Sequence, residues 1–178
     1  MLSFHKAEIG DASAINDLVN SAYRGETSRL GWTTEADLID GLRTTTAEVA
    51  EIIRREDAFI LVGVLKDQIV ATLCCERHEN TAKLGMVAVK PTLQNKGYGR
   101  EMIQAAEAIT LREWRVAGFF MSVITVRTEL IEFYERLGYE RTGNLNDFPM
   151  QSDLWQVKVP NLKFEYLVKI MRRPTLSD

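Results

Sequence analysis

The sequence predicts a single α/β domain, in the α+β sense, built on a mixed sheet flanked by helices. Three observations lead there. β-Branched apolar runs alternate with segments whose apolar residues recur at helical spacing. The chain is 178 residues long, about the length of one domain. No internal repeat, low-complexity stretch or Pro/Gly/Ser linker divides it, so residues 1–178 read as one unit.

Leu2–Ala7 reads as the first strand. Asp11 or Ser13 caps a helix carrying Ile15, Leu18, Val19 and Ala22 at helical spacing. A polar break from Arg24 to Trp32 follows. Thr33-Thr34-Glu35-Ala36-Asp37 resembles a capping box and predicts a second helix running to about Thr46. A short helical run, Val49–Arg54, leads into two apolar runs, Ala58–Leu65 and Ile69–Arg77. The turn Lys66-Asp67-Gln68 makes these an antiparallel hairpin. Ala82–Val89 is a fourth strand, stopped at Pro91. Gly97 and Gly99 open a long helix to Trp114, and Phe119–Val126 is the next strand. Thr128 caps a helix with Leu130, Ile131, Phe133, Tyr134 and Leu137 on one face, and Gly138 stands where a left-handed C-cap belongs. Leu154–Val159 and Phe164–Met171 close the chain as strands.

The 22 basic and 25 acidic residues give a net charge of −3, unlike a general nucleic-acid binder, whose domain is normally basic. The densest basic runs are only Arg54-Arg55 and Arg172-Arg173. No apolar run approaches the roughly 18 residues of a membrane span. Met1–Lys6 lacks the pattern of a signal peptide, so the expected location is the cytoplasm. The neighbours Cys74 and Cys75 are the only cysteines; on a strand they point to opposite faces. With His5 and His78 they form no ligand spacing, so no metal site is expected.

The chemistry-bearing stretch is Val87-Ala88-Val89-Lys90-Pro91-Thr92-Leu93-Gln94-Asn95-Lys96-Gly97-Tyr98-Gly99-Arg100. A strand ends, a proline stops the ladder, and a glycine loop opens a helix. Unpaired amides at such a helix start suit an anion, and Lys96 and Arg100 add positive charge. The dinucleotide pattern G-x-G-x-x-G fails because Met102 holds the third glycine position. The Walker pattern fails because no G-K-[ST] follows. A nucleotide-binding domain for ATP or NAD is therefore disfavoured.

What Gln94-Asn95-Lys96-Gly97-Tyr98-Gly99 does resemble is the Q/R-x-x-G-x-G/A signature of the GNAT-type N-acetyltransferases. A second segment, Phe133-Tyr134-Glu135-Arg136-Leu137-Gly138-Tyr139, resembles their F-Y-x-x-x-G-F/Y motif. The element order matches over about Leu2 to Met171. The resemblance implies a mostly antiparallel mixed sheet of six to seven strands with about four helices. It also implies acetyl-CoA as co-substrate and direct attack of an acceptor amine, expected to be a small molecule, on the thioester. The backbone of Val87, Ala88 and Val89 would hold the pantetheine arm, and amides from Gln94 to Arg100 (through Asn95, Lys96, Gly97, Tyr98 and Gly99) the pyrophosphate. A valine side chain placed at Gly97 is expected to block that approach.

By the same resemblance Tyr134 would protonate the departing thiolate. A base is expected to relieve the amine of its proton; Glu76 is the leading candidate, beside His78 and Glu79. The family's acceptor pockets draw on segments that here contain Trp32, Asp147 and Phe148, whose aromatic and acidic character suits a cationic amine. Arg127 stands where many members carry an asparagine, and its role stays open. A non-catalytic acyl-CoA-binding or regulatory module on the same fold is the alternative reading. The resemblance also leaves a homodimer open.

Overall fold

The computed structural model describes residues 1–150 and 152–171; the basic pair Arg172-Arg173 lies outside the described residues. The chain runs β1 (Ser3–Lys6), α1 (Ala12–Tyr23), α2 (Gly25–Ser28), β2 (Ile39–Gly41), α3 (Thr46–Arg54), β3 (Ala58–Leu65), β4 (Gln68–His78) and β5 (Thr81–Val89). It continues through α4 (Tyr98–Trp114), β6 (Gly118–Ile124), α5 (Thr128–Glu135), β7 (Glu140–Asp147), β8 (Trp155–Val157) and β9 (Lys163–Ile170). Seven strands form one sheet in the order β1-β3-β4-β5-β6-β9-β7, while β2 and β8 pair separately.

The central strands β3 and β4 are apolar almost throughout because both faces of the sheet are covered. On one face Ile60, Val62, Cys74, Met86 and Ala88 pack against Ile15 and Val19 of α1 and Val49 of α3. On the other, Leu61, Leu73, Cys75 and Leu84 pack against Met102, Ile103 and Ala106 of α4. The two cysteines face opposite layers, as expected. Burial pushes the Cys74 thiol up to about 12, so it stays protonated and serves as core. The β3–β4 hairpin turns at Lys66 and Asp67, both with positive φ, the backbone of a tight two-residue hairpin turn.

All ladders of the large sheet are antiparallel except β5 with β6. That parallel pairing covers Thr81–Gly118, Ala82–Phe119 and Lys83–Phe120, and then the strands diverge. One extra residue in β5 between the pairs Cys74–Gly85 and Thr72–Ala88 makes a bulge, with Met86 at φ 47°. Bulges bend a strand and re-aim its side chains; this one bends β5 where it leaves β6.

Two element assignments fail, and none of Asp11, Ser13 and Thr128 caps its helix through a side chain. The helix over 33–46 does not form, because its capping groups are engaged in tertiary contacts. Thr33 Oγ1 accepts from Gln94 Nε2 at 2.9 Å, and Thr34 Oγ1 lies 2.6 Å from Ser28 Oγ. The chain turns into β2 instead, where Gly41 has φ 95° and a Cβ would stand 2.1 Å from the Leu154 carbonyl oxygen. The true capping box comes at Thr45: its Oγ1 accepts from Glu48 N at 3.2 Å, and its N–H donates to Glu48 Oε2 at 3.1 Å. The second miss is β7, hidden because Glu140–Asp147 is a polar edge strand with no apolar alternation. Arg141 pins it to β9 through Glu165 Oε2, at 3.0 Å from Nε and 2.6 Å from Nη2.

Candidate active site

Two cavities open where β5 and β6 diverge. The first, about 570 Å3, lies among β5, the start of α4 and one side of α5, with Val89, Gln94, Gly97, Gly99, Phe133 and Tyr134 in its walls. The second, about 320 Å3, lies among the end of α1, β5, β6 and the segment around Phe148. Val87, Leu130 and Tyr134 line both. The β6-facing edge of β5 has no strand partner beyond Lys83, so its backbone groups border this gap.

In the larger cleft the loop before α4 takes the form that an anion seat needs. Asn95 and Gly97 have φ of 63° and 85°, and Gly97 is the N-cap of the 17-residue α4. The first helical bond is Glu101 N–H to Gly97 O at 3.0 Å. The amides of Tyr98, Gly99 and Arg100 therefore precede the helical ladder and have no partner within it. Gly99 has ordinary helical backbone; a Cβ there would stand 3.5 Å from Phe133 Cζ and 3.9 Å from Val89 Cγ2, between the two walls.

The predicted residues divide. Val87, Val89, Gln94, Asn95, Gly97, Tyr98, Gly99 and Arg100 line the cleft. Lys96 is exposed and does not line it, and Ala88 is buried beneath α1. The Gln94 side chain is a strut: Oε1 accepts from Trp32 N at 2.9 Å, and Nε2 donates to Thr33 Oγ1 and, at 3.1 Å, to Val89 O. Trp32, expected on the acceptor side, stands in the larger cleft edge-to-face with Phe133, ring centres 5.8 Å apart. Arg136 also lines this cleft, at a motif position that the family signature leaves free.

Tyr134 is buried, and its hydroxyl makes no hydrogen bond among the described residues. Burial raises its pKa above the ordinary tyrosine value, so it keeps its proton at neutral pH. Glu76 does not reach it. Its carboxylate accepts from Arg55 Nη1 at 2.8 Å and lines neither cavity. His78, stacked edge-to-face on Phe120, and Glu79 at the turn are exposed and equally remote from both cavities.

Phe148 lines the smaller cavity, against Trp155, but Asp147 does not. Asp147 is exposed and paired with Lys163 Nζ at 2.7 Å. Most of the charged groups that do line the cavity were not named as site residues by the sequence reading. Glu35, 6% exposed, bonds Arg127 Nη1 through Oε1 at 2.7 Å and Arg24 Nη2 through Oε2 at 3.3 Å. Tyr23 donates its hydroxyl to Val87 O at 2.9 Å, holding α1 to the bulged part of β5. The guanidiniums of Arg43 and Arg127 lie 5.7 and 5.8 Å from the Tyr23 ring centre. Arg24, Glu35 and Arg43 share one stretch of about 20 residues that Arg127 joins from the far side of β6, and no local pattern marks them as a group; only Arg127 was singled out.

Residues 56–141, from just before β3 into β7, match the family described as an acetyltransferase (GNAT) domain. The fold is shared with the ribosomal-protein-S18-alanine N-acetyltransferase of Escherichia coli, at 15% identity over 100% of both chains and a TM-score of 0.72. A spermidine/spermine N-acetyltransferase of Vibrio cholerae matches at 15% identity over 96% of this chain and 95% of its own, with a TM-score of 0.68. A Bacillus anthracis protein solved in complex with acetyl coenzyme A matches at 18% identity over 68% and 66%, with a TM-score of 0.56. The chain thus carries, over residues 56–141, a match to a GNAT acetyltransferase domain, and it shares the fold of solved N-acetyltransferases.

Proposed function

We propose that the protein transfers an acetyl group from acetyl-CoA to the amine of a small molecule by direct attack, the larger cleft taking the co-substrate and the smaller cavity the acceptor. The observation that carries this reading is the meeting of the two cavities at Val87, Leu130 and Tyr134. Molecules entering from opposite sides then come together beside one hydroxyl.

The cleft residues suit the co-substrate. Amides at the start of α4 face a pyrophosphate, while Arg100 and Arg136 add charge. The apolar walls Val87, Val89, Leu130 and Phe133 accommodate a pantetheine arm. Acetyl-CoA supplies the activated acyl group. Around it the chain's own residues position the acyl carbon, and Tyr134 holds a proton for the departing sulfur.

Thermal unfolding with acetyl-CoA, CoA, ATP and NADH tests the cleft assignment. A ligand at about 100 times its Kd adds roughly 2.7 kcal/mol of stability, and only the two CoA compounds are expected to do so. Gly99→Val is the discriminating variant. Gly97→Val strains a left-handed residue by about 1–2 kcal/mol, so it loses stability along with affinity. At Gly99 the backbone tolerates a side chain, which instead fills the space between Val89 and Phe133. The variant should melt near the parent temperature and bind acetyl-CoA at least tenfold more weakly. Unchanged affinity in the folded variant rejects the loop as the phosphate seat.

A further inference from the structure

The smaller cavity carries the wrong charge for the cationic acceptor that the sequence suggests. Arg24, Lys83, Arg43 and Arg127 line it, against a single carboxylate, Glu35. That carboxylate is shared between two guanidiniums whose side chains are only 5% (Arg24) and 10% (Arg127) exposed. Arg43 and Lys83 have no carboxylate within ion-pairing distance among the described residues. Arg24 is also the one charged side chain with buried nitrogens, Nε and Nη1, that lack any hydrogen-bond partner among the described residues.

Buried charge without compensation is unfavourable. One anion cannot neutralise two buried cations, and the two further cations at the rim increase the imbalance. Burial, opposed by Glu35, lowers the pKa of Arg24, a sign of the same deficit. The cavity is therefore set to gain an anion. Guanidinium groups, planar and rich in donors, match carboxylate oxygens.

We infer that the acceptor cavity holds an anion subsite made by Arg24, Arg43 and Arg127, with Lys83 at its rim, and that the acceptor bears a carboxylate in addition to its amine. The cavity volume of about 320 Å3 fits a molecule of amino-acid size. Arg127 thereby acquires a role: it holds Glu35 and completes the positive wall. This inference rests on the acceptor side of the proposed function, since the carboxylate would anchor the molecule whose amine reaches Val87 and Tyr134.

The test compares acceptors that differ in one group: α-amino acids, their carboxamides, the corresponding decarboxylated amines, spermidine and phosphoethanolamine. Acetylation rates are read together with calorimetric binding of the same compounds to the CoA-loaded protein. Amino acids should exceed their carboxamides at least tenfold in kcat/KM and in affinity. Arg43→Gln and Lys83→Gln, both at partly exposed positions, should erase most of that margin through KM while the carboxamides change little. Preference for spermidine or for the neutral amides overturns the subsite, as does a margin unmoved by either variant. Preference for phosphoethanolamine overturns the carboxylate in favour of a phosphate. Amino acids that bind as expected but are not acetylated leave the subsite standing and overturn the transfer reaction instead. Amino acids that neither bind nor react at millimolar concentration overturn the subsite.

Discussion

Replacing Tyr134 with phenylalanine is expected to lower kcat at least tenfold while leaving folding and acetyl-CoA affinity nearly unchanged. The ring is part of the core: it packs edge-to-face with Phe133 at 5.4 Å and with Tyr139 at 6.1 Å between centres. Phenylalanine keeps those contacts and removes only the hydroxyl. Because that hydroxyl donates to no protein group among the described residues, its loss orphans no partner, and the stability change should stay below about 1 kcal/mol. A thiol of ordinary pKa near 8.5 leaves more readily when it receives a proton. General acid catalysis contributes roughly 10²–10⁴-fold, and tenfold is a barrier change of about 1.4 kcal/mol. Because burial raises its pKa above the ordinary tyrosine value, Tyr134 stays a proton donor at neutral and mildly alkaline pH. Single-turnover rates with saturating acetyl-CoA are the measurement. A parental rate would return Tyr134 to a packing role.

Glu35→Ala is expected to destabilise the fold by about 3–5 kcal/mol, the usual loss when one partner of a buried ion pair is removed. The deficit is larger than for an ordinary pair, because Glu35 compensates Arg24 and Arg127 at once. For a domain of this size each kcal/mol moves the melting temperature by about 2–4 °C, so a fall of roughly 6–20 °C should be seen. Glu35→Gln keeps the shape and one acceptor oxygen and should fall between the two proteins. A loss under about 1 kcal/mol for Glu35→Ala would mean that solvent reaches the arginines freely. That result would also remove the electrostatic basis of the anion subsite.

The contrast between the two cavities explains how much of the site could be read from the sequence. The β5–α4 wall of the larger cleft is one contiguous stretch whose requirements are local: a strand end, left-handed positions at Asn95 and Gly97, and a side-chain-free Gly99. Such demands leave a mark in the residue types themselves. Tyr134 was singled out through a second short motif, and it stands beside both cavities. The smaller cavity draws Arg24 and Arg43 from one stretch and Arg127 from another, and nothing local distinguishes a buried, paired arginine from a solvated one. The same blindness produced the false helix over 33–46: Thr33, Thr34 and Glu35 look like a cap, but their partners are Gln94, Ser28 and two arginines. Trp32 and Asp147 were assigned to the acceptor by the segments that the resemblance points to and by their chemistry. Tertiary structure puts the first in the other cleft and the second against Lys163.

The brief ladder between β5 and β6 has a mechanical consequence. Backbone hydrogen bonds carry continuity across a sheet, and among the described residues the strands before the seam and those after it are joined only at one end, by the rungs at Thr81, Ala82 and Lys83 and the adjoining Ala117 N–H to Asn80 O bond. With so few rungs across it, the seam is expected to yield more readily than the longer ladders within each half of the sheet. A molecule spanning the wedge takes over the bridging that a longer ladder would have supplied. Stiffness then becomes a property of the loaded protein, and the seam that is weakest in the empty chain is tightened at the place where the reacting groups must be aligned.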